Sequence, residues 1–294
     1  DYRGCSMKLD VVAGAVWCRS GDFIVEAAPN GVVARVAGDP TVEPVALDTA
    51  SALCCASSKN MVAFGFADGV RCWSRSETGW NKVECGAMDE PCTALALNAT
   101  HIFSAHGDKV ASYDMRDETS TTAQETRQIM ELAAFADDRP ACAARLQDGS
   151  ACVFEVEDGA LEETLLVAVA DAVSITTWRD AAVALDKNGM ATFHRGAADP
   201  CYEPVSVGGG TSIACGPTDL CVSYADSVRI WAMAVDDSLG KVLLTPKASL
   251  QLDAAPARVE TAASATLGLV STNQGALWYF HADAAHDDEF GDEA

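Results

Sequence analysis

Five histidines, at positions 101, 106, 194, 281 and 286, and twelve cysteines are the side chains of this 294-residue protein best suited to metal or nucleophilic chemistry. Their spacing assembles neither. His101 and His106 stand five apart on a strand-like run, so they point to opposite faces. No two cysteines form Cys-x-x-Cys, the usual half of a zinc site. The serine-hydrolase elbow Gly-x-Ser-x-Gly is absent. The stretch "VGGGTS", Val207 to Ser212, is glycine-rich, but a phosphate-cradling loop needs a following Lys and a helix start. It reads as a flexible connection. The final "DDEFGDEA" reads as a solvated, disordered tail that would hold a divalent cation only weakly. We therefore expect no enzyme, no catalytic residue, no metal, no cofactor and no small-molecule substrate.

Composition narrows the classes that remain. The formal charge is −23, and 49% of residues are hydrophobic. A charge of that sign opposes phosphate-backbone binding, which needs clustered Lys and Arg. It favours partners with basic surfaces. Apolar runs are short, well under the roughly 20 residues a membrane helix needs. The opening "DYRGCSMKLD" is polar and charged, and no secretory signal is expected there. Most cysteines sit inside apolar runs, where a thiol behaves as a small hydrophobe. Cys54 and Cys55 should face opposite sides of one strand. A reducing, intracellular setting, cytoplasmic or nuclear, is expected.

What, then, do the remaining residues build? A turn followed by an alternating strand recurs seven times. It appears as "PNGVVARV", "ADGVRCWS", "GDKVASYD", "QDGSACVFEV", "KNGMATFH", "ADSVRIWA" and "NQGALWYF". The turn residues are Asn30, Asp68, Asp108, Asp148, Asn188, Asp226 and Gln274, with spacings of 38, 40, 40, 40, 38 and 48. Asn or Asp, often followed by Gly, suits the positive φ of tight hairpins. A strand precedes each turn, and another precedes that. A fourth, more polar run follows: "TVEPVAL", "WNKVEC", "QETRQIM", "LEETLLV", "CYEPVSV" and "ASLQL". The pair "AGDPTVEPVAL" and "AADPCYEPVSV" repeats at an offset of 160, four periods of forty. Proline there suits an outer edge strand.

Four strands in about forty residues make one blade of a β-propeller. The expected fold is all-β: a seven-bladed β-propeller with four antiparallel strands per blade over residues 1–282, and an acidic tail over 283–294. The seventh unit lacks an outer strand, and the segment Cys5 to Leu9 has no other use. We expect this N-terminal strand to close the last blade.

The third strands give the chain a resemblance to the WD-repeat (tryptophan–aspartate) propeller family. The aromatic position reads Trp73, Tyr113, Phe154, Phe193, Trp231 and Phe280, with Val36 in the first blade. The acidic partner survives as Asp114 and Glu155. The family's Gly-His pair, which joins a buried polar network, is absent from every blade. Without that network, blade adhesion is expected to rest on apolar packing between sheets, at about 25 cal/mol per Å² buried.

The resemblance implies a non-catalytic interaction scaffold or adaptor subunit, binding proteins through the propeller faces, with no nucleic acid and no membrane. Trp17, Trp80, Trp178 and Arg179 are candidate contact residues at the rim bearing the blade-connecting loops, since Trp and Arg dominate interface hot spots. "YDMR", with Tyr113, Asp114 and Arg116, is similar to the box of substrate receptors of cullin-type ubiquitin ligases. An acidic propeller binding histone tails or other basic peptides in a chromatin complex is a further reading. A propeller enzyme with a metal in its axial channel is the reading from another class.

Overall fold

The computed structural model describes residues 6–10, 16–20, 23–36, 41–58, 60–83, 85, 90–125, 127–136, 138–166, 169–196, 200–236, 238–252, 256–261, 267–272 and 276–281. Side chains are not described for residues 6–10 or beyond Leu252. The acidic tail and the turn at Gln274 lie outside the described residues.

All regular structure among the described residues is β. The chain enters through β1 (Ser6–Asp10). Blade 1 is β2 (Val16–Ser20), β3 (Phe23–Ala28), β4 (Gly31–Val36) and β5 (Val45–Asp48). Blade 2 is β6 (Cys54–Ser57), β7 (Met61–Phe66), β8 (Gly69–Ser76) and β9 (Gly79–Val83). Blade 3 is β10 (Ala94–Leu97), β11 (His101–His106), β12 (Lys109–Asp114) and β13 (Thr119–Gln124). Blade 4 is β14 (Ile129–Ala134), β15 (Ala141–Leu146), β16 (Ala151–Glu157) and β17 (Ala160–Leu165). Blade 5 is β18 (Ala172–Trp178), β19 (Ala181–Asp186), β20 (Met190–His194) and β21 (Val205–Ser206). Blade 6 is β22 (Ser212–Cys215), β23 (Asp219–Ser223), β24 (Ser227–Asp236) and β25 (Lys241–Gln251). In each of these six sheets the strands pair in chain order, all antiparallel. A further sheet combines the two ends of the chain. Its order is β1, β28 (Ala276–His281), β27 (Leu267–Thr272), β26 (Pro256–Thr261), with Met7 opposite Tyr279 and Leu9 opposite Leu277.

The first strands of successive sheets, β2 through β26, lie side by side in chain order. The sheets therefore face one another, and the core is a series of layers between them. Strand alternation feeds two layers at once. On β19, Ala182 and Ala184 face blade 4, while Val183 and Leu185 face blade 6. On β7, Val62, Phe64 and Phe66 pack against blade 1, and Ala63 against blade 3. A bulky face thus meets a small face, which keeps packing dense. Cys54 and Cys55 divide in the same way between the two layers flanking blade 2.

Three local expectations are corrected. The outer strand of blade 3 is Thr119–Gln124, not "QETRQIM" at 124–130, whose last residues open β14. The fourth strand of blade 6 begins at Lys241, well before "ASLQL". The turn Asn and Asp residues do not carry positive φ, which falls on glycines such as Gly69 and Gly149. The acids instead hold the turn by hydrogen bonds. Asp148 Oδ1 accepts from Ser150 N at 3.0 Å, and Asp186 Oδ1 from Asn188 N at 2.8 Å. The glycines of "VGGGTS" have a packing reason. Gly189 (φ 77°) touches the Gly209 backbone so closely that a Cβ would lie 2.0 Å from Gly209 N.

Candidate protein-binding faces

Antiparallel order fixes two ends. The turns between second and third strands share one end with the crossovers between blades. The remaining turns share the opposite end.

At the crossover end, cations bridge turns to crossovers. Arg71 reaches Asp68 of its own turn at 2.6 Å and Asp48 of blade 1 at 3.3 Å. Lys109 meets Glu90 at 2.5 Å, and Lys187 meets Asp171 at 2.6 Å. Arg127 lies 3.2 Å from Glu125 and 3.5 Å from Asp148. These cations are engaged, while Asp108 and Asp226, on turns of the same end, are exposed. His106, which sits where β11 ends, faces the Glu90 carbonyl oxygen at 3.0 Å and the Ser104 hydroxyl at 3.0 Å.

The first strands of blades 2 to 6 line a channel of about 530 Å³. Small and hydroxyl side chains dominate its wall, with Glu131 and Arg145 as the charged pair. Arg145 Nε donates to Glu131 Oε2 at 3.1 Å. Ser174 Oγ of blade 5 donates to Oε1 at 3.0 Å, and Ile175 N to Oε2 at 3.1 Å. Burial pushes the Glu131 carboxyl above the usual range, and Arg145 partly offsets this. Bulges in β14 and β18 sit where these groups enter the channel. Bulges re-aim side chains: Met130 is left 43% exposed to the channel.

At the opposite end, arginines stack on aromatic rings. Arg139 lies over Phe135 at 4.2 Å and grips Glu155 with two bonds of 3.0 and 2.9 Å. That fork holds the Glu155 carboxyl below the usual range. Arg179 lies over Trp178 at 4.6 Å, and Arg75 over Phe23 at 4.2 Å.

The sequence candidates divide among these places. Trp178 is 3% exposed and belongs to the core between blades 5 and 6, against Phe193 and Tyr202. It ends a first strand, so it lies away from the crossover rim where it was expected; Arg179 follows it in the next turn, with φ 54°. Trp80, early in β9, is likewise at the opposite end, edge-on to Phe23 at 5.7 Å, with its indole N–H buried and without a hydrogen-bond partner among the described residues. Trp17 lies on β2 opposite Glu26; its side chain is outside the described residues. Asp114 and Arg116 come together, while Tyr113 packs against the apolar layer between blades 2 and 3. Asp114 Oδ1 accepts from Arg116 N at 2.7 Å, which holds its carboxyl below the usual range. The Arg116 guanidinium turns outward to Asp138 of blade 4 at 2.9 Å, and both side chains are more than half exposed.

Sequence reasoning missed a set of polar stitches between blades. Asn98 Nδ2 donates to the Phe135 and Arg139 carbonyls at 3.3 and 2.8 Å. Arg139 donates to the Asp180 carbonyl at 3.2 Å, and Trp178 Nε1 to the Pro217 carbonyl at 3.0 Å. Each spans about one repeat, from one blade to the next. They do part of the work of the absent Gly-His network, so adhesion between blades is not apolar packing alone.

No protein-family profile matches the chain, and no curated protein matches it. Solved structures do match in fold. The WD40 repeats of RRP9 superpose with a TM-score of 0.71 at 11% identity, covering 94% of this chain and 97% of that one. The structure of U3-55K gives 0.70 at 11%, covering 93% and 98%. A chain of the mitotic checkpoint complex gives 0.69 at 13%, covering 95% of each. The fold is that of WD40-repeat propellers. No helix among the described residues is long and apolar enough to cross a membrane.

Proposed function

We propose that the chain is a non-catalytic interaction scaffold whose crossover end engages a basic segment of a protein partner. Its sheets are the seven blades of one closed ring over residues 1–282, with β1 as the outer strand of the last blade. The observation that carries the binding reading is the crossover end itself. Carboxylates stand on the turns of successive blades, Arg71, Lys109 and Lys187 among them are already spent on ion pairs, and exposed Leu53 and Met130 offer apolar contact. An acidic rim steers a basic chain toward it, and apolar contacts then slow its release. The resemblance to propellers within complexes supports the same reading, as does the net charge of −23. The partner is a protein; nucleic acid, membrane and small-molecule substrate are not part of the reading, and the setting is cytoplasmic or nuclear.

The test is a titration of Lys/Arg-rich and Asp/Glu-rich peptides by fluorescence anisotropy, across a salt series. Binding of the basic set should weaken steeply with salt. Asp108→Asn with Asp226→Asn should weaken it at unchanged thermal stability. Equal binding of both sets would overturn the reading.

A second reading has its own observation. The Asp114 turn aims Arg116 outward at the opposite end, as a docking residue of a ligase substrate receptor would require. Arg116→Ala should then abolish capture by the ligase's adaptor and leave basic-peptide binding intact. Trp80 and Arg179, also at that end, would be the neighbouring contacts.

A further inference from the structure

No disulfide joins cysteines among the described residues, yet two thiols in blade 2 stand nearly in bonding position. Cys72 on β8 and Cys85, two residues past the end of β9, place their sulfurs 3.2 Å apart. Cys72 is opposite Val83 in the strand register, and Cys85 Sγ contacts the Val70 carbonyl at 3.2 Å. Both cysteines therefore lie on one face of the same sheet. A disulfide needs the sulfurs at about 2.05 Å. The approach left is about 1.2 Å, and Cys85 is past the last paired residue of β9, where the backbone can supply it.

We propose that Cys72 and Cys85 form an oxidation site, closed to a disulfide by hydrogen peroxide and reopened by a small thiol. The two sulfurs have different roles. Cys85 is partly exposed, while Cys72 is fully buried. Its hydrogen bond with Cys85, and burial, hold the Cys72 thiol well above its ordinary range. Peroxide thus meets Cys85 first. The Cys85 sulfur attacks one peroxide oxygen, the O–O bond breaks, and a sulfenic acid and one water result. The Cys72 sulfur then displaces the sulfenic hydroxyl. The S–S bond forms, and the Cys72 proton leaves with the hydroxyl as a second water. Two thiols lose two electrons, and one peroxide gains them. Proximity replaces the thiolate fraction that Cys72 lacks.

A second pair serves as an internal control. Cys54 and Cys92 lie 3.7 Å apart, but both are buried. Distance alone would oxidise both pairs; access selects one. The bond would tie the middle of β8 to the start of the crossover into blade 3. That crossover carries Glu90, the anchor of Lys109 and His106 at the rim proposed to bind.

The experiment treats the whole chain with hydrogen peroxide, alkylates the remaining thiols and maps tryptic peptides. Cleavage after Arg71, Arg75 and Lys82 places Cys72 and Cys85 on separate peptides. The expected result is a cross-linked pair of residues 72–75 with 83–109, lighter by two hydrogens and released by dithiothreitol. Fragmentation distinguishes Cys85 from Cys92 on the longer peptide. Cys85→Ser should abolish the cross-link. Cys72→Ala should leave a sulfenic acid at Cys85 that dimedone captures. Should that buried variant not fold, the native chain and Cys85→Ser still decide. Oxidation of Cys85 without linkage to Cys72, linkage of Cys54 to Cys92 at equal rate, or an unreacted Cys85 would each overturn the proposal.

Discussion

The indole N–H of Trp178 donates to the backbone carbonyl of Pro217 at 3.0 Å, across the boundary between blades 5 and 6. One side chain thus supplies both apolar area and a directed bond to the next repeat. Trp178→Phe keeps most of the ring and removes the bond. A loss of about 1 kcal/mol is expected. Trp178→Ala also opens a cavity, with a loss of about 3–5 kcal/mol. Thermal and urea denaturation measure both. Equal losses for the two variants would show that the bond, not the ring, carries the stabilisation.

The arginines of the opposite end should separate by environment. Arg116 and Asp138 are both well exposed, so Arg116→Ala should change stability by less than about 0.5 kcal/mol. Arg139 binds Glu155 with two bonds, stacks on Phe135 and reaches blade 5. Its loss should cost about 1–2 kcal/mol, allowing for partial exposure. Matching melting temperatures for the two variants would contradict this ranking.

Strands that bury both faces were legible in the sequence, because their apolar runs are unbroken. The strand before the Asp68 turn is one: β7, Met61–Phe66, is a continuous apolar run buried at every residue after the first. Outer strands were less so, since both faces can meet water and polarity then mimics a loop. "TSTTAQ", now β13, was passed over for the more apolar "QETRQIM". Its threonines, β-branched and strand-favouring, were the available signal. The polar stitches from Asn98, Arg139 and Trp178 were not legible. They depend on which end of a strand each residue occupies and on a partner one repeat away. Residue type likewise could not place Trp178: a buried anchor and an interface anchor share the same ring.

Acidity should act through Glu163 and Glu125. Their carboxyls meet beside Cys152, with oxygen and sulfur atoms within 4.8 Å. Burial and the hydrogen bond with Glu125 raise the Glu163 carboxyl above its ordinary range. The folded chain therefore holds that proton more tightly than the unfolded chain. Stability from this group is present below the ordinary carboxylate value and is lost as pH rises through the folded value. Glu163→Gln cannot lose a proton, so its stability should decline less between mildly acidic and neutral pH. Denaturation midpoints at several pH values test this. Parallel profiles for wild type and variant would remove Glu163 from the account.

Ring closure is tested at the two ends of the chain. β1 pairs with β28 over five residues, from Ser6 opposite Phe280 to Asp10 opposite Ala276. Deleting residues 1–10 strips that partner and leaves β28 as an open edge. An open edge offers unpaired N–H and C=O groups to other chains. The truncated chain should melt lower and should aggregate with a rate that rises with concentration. Loop-closure entropy grows slowly with chain length, so joining distant ends costs little more than joining near ones. The same ten residues should therefore work from elsewhere. Added back as a free peptide, they should restore the melting temperature in proportion to their concentration. A peptide with Pro at positions 7 and 8 should fail, because one of two successive N–H groups of an edge strand faces its neighbour and proline cannot donate there. If truncation changes neither melting nor aggregation, β1 does not close the ring, and the last blade is held by three strands alone.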